Sequence, residues 1–151
     1  MSDGHEPTDD EYRRLLELRT GLRRFLWWSE QQAAAAGITA AQHQLLLAVR
    51  GHDARDGPTI GDLADVLLLR HHSVVGLVDR AVSAGLVERR TDASDHRVVR
   101  LRLTTRGART LRRLSRAHLE ELGRLAPRMQ ALWANLGPML EADRVQPRKC
   151  S

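Results

Sequence analysis

The stretch LVERRTDASDHRVVRLRLTTRG, residues 86–107, has the alternating pattern of a β-hairpin rather than the period of a helix. In its second half apolar residues alternate with polar ones, among them Arg100 and Arg102, so a strand there would bury one face and expose a basic one. Residues 86–91 can pair with residues 98–103 through the polar loop between them. The stretch therefore predicts a two-stranded ribbon with a basic outer face.

Three short helices are predicted in front of this ribbon. Thr39 opens a capping-box pattern with the residue three positions on, ahead of an apolar run. Ile60 is compatible with a single rung of sheet, and a short helix is expected over residues 62–68. After the turn LRHH, a third helix begins near His71, carries an apolar stripe and ends at Gly85.

Longer helices are predicted on both sides of this segment. The first is expected over residues 8–36 and stops at Gly37. Another is expected over residues 106–126, where Pro127 should end it because proline cannot donate the helical hydrogen bond. A last helix then follows, interrupted at Gly137-Pro138.

The order of these elements is that of a winged helix-turn-helix, so the predicted fold class is mainly α with one β-hairpin wing. The second helix of such a turn unit fits the major groove of DNA, which displays a distinct pattern of donors and acceptors for each base pair. A basic hairpin beside it can reach the neighbouring backbone or minor groove. Double-stranded DNA is therefore the expected partner.

Two stretches of the sequence, LVDRAVSAGLVERR and DASDHRVVRLRLTTRG, resemble the multiple antibiotic resistance regulator (MarR) family. The family pattern in the second stretch is D-x-R, here Asp95 to Arg97, followed by L-T-x-x-G, here Leu103 to Gly107. The upstream IGDLADVL also looks like the family's first helix of the turn unit. The likeness covers roughly residues 10–140.

The resemblance implies an obligate homodimer that regulates transcription, usually as a repressor at a near-palindromic operator. It implies that residues 9–38 and 106–142 are dimerisation helices and that residues 39–105 are the DNA-binding region. Residues 1–8 and 143–151 are expected to be disordered. A small-molecule effector is also implied, which would shift the spacing of the two winged units and release the DNA.

Candidate DNA contacts lie on the predicted recognition helix and on the wing. Backbone amides at the start of a helix favour phosphate, and the exposed face of the helix faces the bases. The candidates are Arg70, His71, His72, Ser73, Gly76, Arg80, Arg89, Arg90, His96 and Arg97. Arg97 is the leading candidate, and Asp95 is expected to orient it in a bidentate pair.

Some of these residues also have a structural interpretation. Members of the family often carry a small hydroxyl residue where this chain has Arg70, and many carry a Thr-Arg pair where it has Val75-Gly76. His71 and His72 could be solvent-exposed turn residues. Arg80 could serve the structure as well as contact phosphate.

Three further residues are candidates for an effector site. The family's ligands often bind between the dimer helices and the winged unit, and Trp27, Trp28 and His43 could line such a crevice. The alternative for each of them is core packing or dimer contact.

Composition supports a globular protein with a polyanionic partner. The 151 residues suit one domain, and the formal net charge is +5, with ten Arg between residues 86 and 116. Since the N-terminus is polar and no apolar run reaches the length of a membrane span, we expect a cytoplasmic protein without membrane contact.

The sequence gives no sign of an enzyme, a cofactor or a metal centre. It contains no nucleophile elbow, P-loop or dinucleotide fingerprint, and its seven His include no His-x₃-His pair. The single cysteine, Cys150, is read as a solvated thiol near the C-terminus. The leading hypothesis is a homodimeric, sequence-specific regulator. The alternative is a winged-helix module for protein interaction without specific DNA readout, which Val75-Gly76 mildly favours and the Arg-rich wing opposes.

Overall fold

The computed structural model describes residues 6–142, with side chains described as far as residue 134. The described residues form a mainly α winged helix, as predicted. The elements are α1 (Asp9–Ala35), α2 (Ala40–Gly51), α3 (Ile60–Leu67), α4 (His71–Ser83), β1 (Val87–Thr91), β2 (Val99–Leu103) and α5 (Thr105–Ala142). The expected disorder of residues 143–151 and of the first five residues, and the state of Cys150, lie outside the described residues.

The chain divides into two compact units. Residues 29–117 form one of them, here called the winged unit. Within the described residues, residues 6–28 and 118–142 form the other, here called the helical unit. The boundaries fall inside α1 and α5, so each of these helices contributes to both units.

Capping boxes begin α2 and α3. The Thr39 hydroxyl accepts the Gln42 amide at 3.1 Å, and the Gln42 side chain accepts the Thr39 amide in return. Thr59 and Asp62 repeat the arrangement at the start of α3, at 3.2 and 2.8 Å. Because Thr59 is the cap, Ile60 is already helical. The predicted single rung at Ile60 is therefore wrong by one residue, since it is Thr59 that bridges to β2.

Residues in left-handed backbone end three of the helices. Gly37 follows α1 with φ +78° and Gly85 follows α4 with φ +68°, as the sequence predicted. Leu68 ends α3 with φ +54°, one residue earlier than expected, and its amide bonds back to carbonyls of Ala64 and Asp65. Its side chain is 90% exposed.

The predicted hairpin is present, with β1 antiparallel to β2. Val87 pairs with Leu103 at its base and Thr91 pairs with Val99 near its tip. Leu101 is fully buried, whereas Val99 stays exposed, so the apolar face is buried only towards the base. The Leu101 amide also donates to the Pro58 carbonyl at 2.9 Å, which ties the segment before α3 to the wing.

A junction around Leu86 explains the L-T-x-x-G pattern. The Leu86 carbonyl accepts the Thr104 amide at 3.1 Å, and the Thr104 hydroxyl donates to the Gly85 carbonyl at 2.6 Å. The Gly107 amide donates back to the Thr104 hydroxyl at 3.0 Å. A Cβ at Gly107 would collide with the Leu86 carbonyl. The junction therefore joins the end of α4, the base of the wing and the start of α5.

The core of the winged unit is almost entirely aliphatic. Within the described part of the chain, His43 is the one buried polar residue. The largest fully buried side chains are those of Leu45, Leu46, Leu63, Leu86, Leu101, Val74, Val78, Val87 and Pro58. A core of this kind holds α4 and the hairpin in place through shape complementarity.

α5 continues through Pro127, so the predicted helix end there is wrong, and so is the interruption at Gly137-Pro138. Leu125 before the proline and Met129 after it both face α1, and a Cβ at Gly21 would lie 3.7 Å from the Met129 sulfur. Pro127 itself is exposed, and the residue four positions back is Gly123, which is also exposed. The carbonyl deprived of its partner can therefore bond to water, while packing on both sides of the proline favours continuation of the helix.

The helical unit buries little of its apolar surface. Phe25 and Trp28 stack with ring centroids 5.9 Å apart, and the His118 ring lies 4.8 Å from Trp28 and edge-on to Phe25. Large apolar side chains remain exposed along both helices of this unit. They are Tyr12, Leu15, Leu16, Leu22, Leu26, Trp27, Leu119, Leu122 and Trp133.

Candidate nucleic-acid interface

The first turn of α4 presents three exposed basic side chains. Arg70 is the N-cap residue and its side chain makes no capping bond, in contrast to the threonine caps of α2 and α3. His71 and His72 follow it, both exposed. Within residues 6–134 these three side chains form no hydrogen bond or ion pair. The start of α4 is therefore open to an anion, where its backbone amides add to the positive potential.

The outer face of α4 lies opposite its buried stripe. Val74, Leu77 and Val78 pack into the core, while His72 and Gly76 face outwards. Ser73 is half-buried at the edge between the two faces. Near its centre the outer face thus has a position, Gly76, that contributes no side chain.

Two charged residues follow on α4, and they have different partners. Asp79 accepts a hydrogen bond from the Arg89 guanidinium on β1. Arg80 is exposed, and within the described side chains it makes no ion pair. It is thus Arg89, and not the neighbouring Arg80, that pairs with Asp79.

The loop at the tip of the wing is organised by two aspartates. The Asp92 carboxylate accepts the amides of Ser94 and Asp95 at 2.8 and 3.0 Å. The Asp95 carboxylate accepts the Arg97 amide at 3.0 Å. Such Asx bonds replace backbone hydrogen bonds and fix a short loop. His96, which lies between Asp95 and Arg97 in this loop, is exposed.

Arg97 projects from this loop into solvent. Its side chain is 91% exposed, and its Nε and Nη2 donate to the two Asp95 oxygens at 3.1 and 3.2 Å. The Arg97 guanidinium and then the Arg97 amide lower the pKa of Asp95. Asp95 thus orients Arg97 as a bidentate partner, and the role of Arg97 towards DNA stays a prediction.

Arg100 does not lie on the basic outer face that the alternation predicted. Its side chain is only 25% exposed, because the guanidinium pairs with Asp92 and donates to the Gly57 carbonyl at 2.9 Å. The hydrogen bond from Arg100, with those from the Ser94 and Asp95 amides, lowers the pKa of Asp92 to about 2. Arg100 and Asp92 therefore fasten the wing to the loop before α3. Sequence analysis missed Asp92, although an Asp at the start of a short polar loop is typical of an Asx turn.

The other wing arginines are also paired within the chain. Arg90 donates to Glu88 at 2.8 Å, and Arg102 lies 3.4 Å from Asp56. With Arg89, Arg97 and Arg100, every arginine of the hairpin has a carboxylate partner. The wing is accordingly basic in composition but largely compensated in charge.

The residues predicted for an effector site belong to different units. Trp27 is 64% exposed, and with Trp28 it lines a cavity of about 690 Å³ between α1 and α5 in the helical unit. His43 is buried in the winged unit. A ligand site that combines the three stays a prediction.

The described residues contain no group of three His, Cys, Asp or Glu side chains placed to hold a metal ion. They also contain no helix with the length and apolar character needed to cross a bilayer.

Comparison with known proteins gives a consistent result. Residues 36–98 match a model of the MarR family, while comparison with curated protein sequences gave no match. A crystal structure of a MarR family transcription regulator matches with a TM-score of 0.73 and 23% identity, over 90% of this chain and 89% of that one.

Two other solved structures match at similar levels. AbsC, a MarR family transcriptional regulator from Streptomyces coelicolor, has a TM-score of 0.68 and 23% identity, over 95% of this chain and 100% of that one. The DNA complex of MepR from Staphylococcus aureus has a TM-score of 0.65 and 24% identity, over 91% of this chain and 99% of that one. Residues 36–98 are thus similar to the MarR family, and the solved structures show that the chain shares their winged helix-turn-helix fold.

Proposed function

We propose that the chain is a homodimeric, sequence-specific DNA-binding regulator of transcription, acting in the cytoplasm as a ligand-responsive repressor at a near-palindromic operator. The observation that carries the proposal is the row of exposed basic side chains at the N-cap and along α4 that have no hydrogen bond or ion pair among the described residues, namely Arg70, His71, His72 and Arg80. An α-helix with such a face fits the width and the negative potential of the major groove.

The wing supports the same function in a different way. Its loop is fixed by hydrogen bonds from Asp92 and Asp95, and Arg97 projects from it into solvent. A fixed, cationic projection beside the recognition helix suits contact with the neighbouring backbone or minor groove. That MepR has been crystallised with DNA supports this use of the fold.

The exposed apolar surface of the helical unit indicates that a second copy of the chain is its partner. Nine large apolar side chains are exposed on it, although a monomeric protein rarely leaves so many together. Along α1, Tyr12, Leu15, Leu22 and Leu26 recur at helical spacing on one side. Such stripes are typical of helices that pack against a twofold-related copy. A dimer would present two α4 helices to half-sites about one turn of DNA apart.

The effector belongs to the same proposal. The cavity of about 690 Å³ beside Trp27 and Trp28 has a mostly apolar lining, with Arg24 and Arg128 among its residues. It has the size of a small-molecule site and the chemistry for an aromatic or aliphatic compound that carries one polar group. Binding there would act on the helices that form the dimer.

Selection of bound sites from a random duplex pool tests the central claim. We expect a paired motif with half-sites about one helical turn apart, and an affinity that falls steeply with salt because bound phosphates release counterions. Sedimentation of the free protein should give a dimer. Enrichment of no sequence, or an affinity independent of salt, would overturn the proposal.

One observation favours the alternative, a module for protein interaction. Leu47, Val66 and Leu68 are exposed around a groove of about 700 Å³ between α2 and α3. This candidate function predicts a partner whose binding is insensitive to salt and is lost in Leu47→Asp, while DNA binding is absent. Retention of salt-sensitive duplex binding by Leu47→Asp would favour the regulator instead.

A further inference from the structure

We infer that Arg80 is the side chain of α4 that reads guanine in the major groove, and that the missing side chain at Gly76 gives it the space to do so. The inference rests on the proposed function, because it assumes that α4 enters the groove. Beyond the proposed function, the inference identifies the residue that discriminates between base pairs and the base that it selects.

The first support is the position of the guanidinium. A Cβ at Gly76 would lie 3.3 Å from Nη1 of Arg80, closer than ordinary side-chain packing. Side chains on a helix lean towards its N-terminus, so Arg80 extends one turn back and covers the place where residue 76 has none. The guanidinium therefore lies beside Gly76, near the middle of the outer face of α4.

The second support is the charge around it. Asp79 precedes Arg80 and would repel phosphates, but Arg89 of the wing neutralises it. Arg80 itself has no ion pair among the described side chains. Arg89 of the wing thus compensates the negative charge of Asp79, and the Arg80 guanidinium is available to a ligand.

The chemistry of the guanidinium then selects the base. Its planar fork of donors matches the O6 and N7 acceptors of guanine, and Arg bound to guanine is the commonest specific contact in the major groove. Adenine offers N7 beside an amino donor, so the second hydrogen bond would be lost. Phosphate contacts, in contrast, suit the cations at the start of α4 and on the wing, which lie towards the edges of the surface.

Gly76 has a separate effect that can be measured. A methyl group at this position would push the guanidinium aside, since the two would lie within 3.3 Å. An alanine would also favour the helix, because glycine is a poor helix former. Gly76→Ala should therefore raise the melting temperature of the protein while it weakens the preference for guanine. A purely structural role for Gly76 would not give this combination.

The experiment compares the parent with Arg80→Lys on the half-site selected by the parent. We expect one fixed guanine in each half-site, and replacing it should weaken the parent by about tenfold to a hundredfold, as for loss of one bidentate contact. Arg80→Lys keeps the charge but loses the fork, so it should bind both duplexes with similar affinity and with the salt dependence of the parent. Arg70→Ala is the matched control, and it should weaken binding to both duplexes by the same factor.

The outcomes separate the inference from the function on which it rests. Full discrimination by Arg80→Lys, or a selected half-site without a fixed guanine, would overturn the inference and leave the regulator intact. Failure of the parent to select any duplex would remove both. Because Arg80 is exposed, circular dichroism melting curves should show that Arg80→Lys is folded like the parent.

Discussion

The wing and α4 differ in whether their arginines form ion pairs within the chain. Each arginine of the hairpin is held by a carboxylate, from Arg89 with Asp79 to Arg102 with Asp56. On α4, Arg70 and Arg80 have no such partner among the described residues. The region with the most arginines is therefore not the region with the most available charge. The arginines of the hairpin are engaged in ion pairs within the chain, whereas Arg70 and Arg80 remain available for a ligand.

The largest effect is expected where the two regions are joined. In Gly107→Ala the new methyl group would meet the Leu86 carbonyl, which is backbone and cannot move aside alone. We expect a loss of about 2–3 kcal/mol in the free energy of unfolding, typical of overpacking, and a loss of operator binding. Urea unfolding at a fixed protein concentration measures the first quantity.

Gly123→Ala is the matched control in the same helix. No atom lies within 4 Å of a Cβ at that position. Alanine there should stabilise the protein by up to about 1 kcal/mol, since it favours the helix. Equal stability of the two variants would show that the junction does not fix the wing to α4.

The next effect separates two arginines within the wing. Arg100→Ala removes the partner of Asp92 and the bond to the Gly57 carbonyl, so the melting temperature should fall by a few degrees. The wing loop should also be cut faster by thermolysin, a protease that does not need arginine at its cleavage site. Arg97→Ala should leave the melting temperature unchanged, because Arg97 is almost fully exposed, and should weaken binding to DNA. Similar melting temperatures for the two variants would contradict the division between internal and external roles.

A smaller effect concerns the dependence of DNA affinity on salt. Removing a phosphate contact reduces the slope of log affinity against log salt by about 0.9. Arg70→Ala should show this full change, whereas Arg90→Ala should show less of it because Glu88 already holds Arg90. Fluorescence anisotropy titrations at several salt concentrations give the slopes. A larger change for Arg90→Ala than for Arg70→Ala would reverse the comparison between wing and helix.

The smallest effect is expected from protons on Asp92. Its pKa is about 2 in the folded protein, below its ordinary value, so its contribution to stability is present above about pH 4 and is lost as the pH falls through 2. The melting temperature of the parent should exceed that of Asp92→Asn at pH 5, and the gap should close towards pH 2. A gap that stays constant over this range would mean that the Asp92 charge does not hold the wing.

Local patterns predicted the elements of the winged unit well. The hairpin, the capping box at Thr39 and the glycine ends at Gly37 and Gly85 each depend on residues close together in sequence. The end at Pro127 was wrong because packing of α5 against α1 outweighs the local cost of a proline, and that packing joins residues about a hundred positions apart.

The candidate site was harder to predict for the same reason. Arg100 was expected on the outer face because strand alternation says nothing about Gly57, which lies 43 positions away and takes its hydrogen bond. The pairing of Arg89 with Asp79 also depends on the tertiary fold. In contrast, the approach of Arg80 to Gly76 follows a spacing of four residues on one helix, which was visible in the sequence.

The junction at Leu86 has a consequence for the DNA that this protein would recognise. One short set of hydrogen bonds joins the end of α4, the base of the hairpin and the start of α5. The distance between α4, which would enter the major groove, and the wing, which would contact the flanking DNA, is therefore set by the fold of each subunit. Insertion of a single base pair inside a half-site should therefore be tolerated worse than an insertion at the centre of symmetry. Natural operators would then vary in their spacers and keep the interior of each arm at constant length.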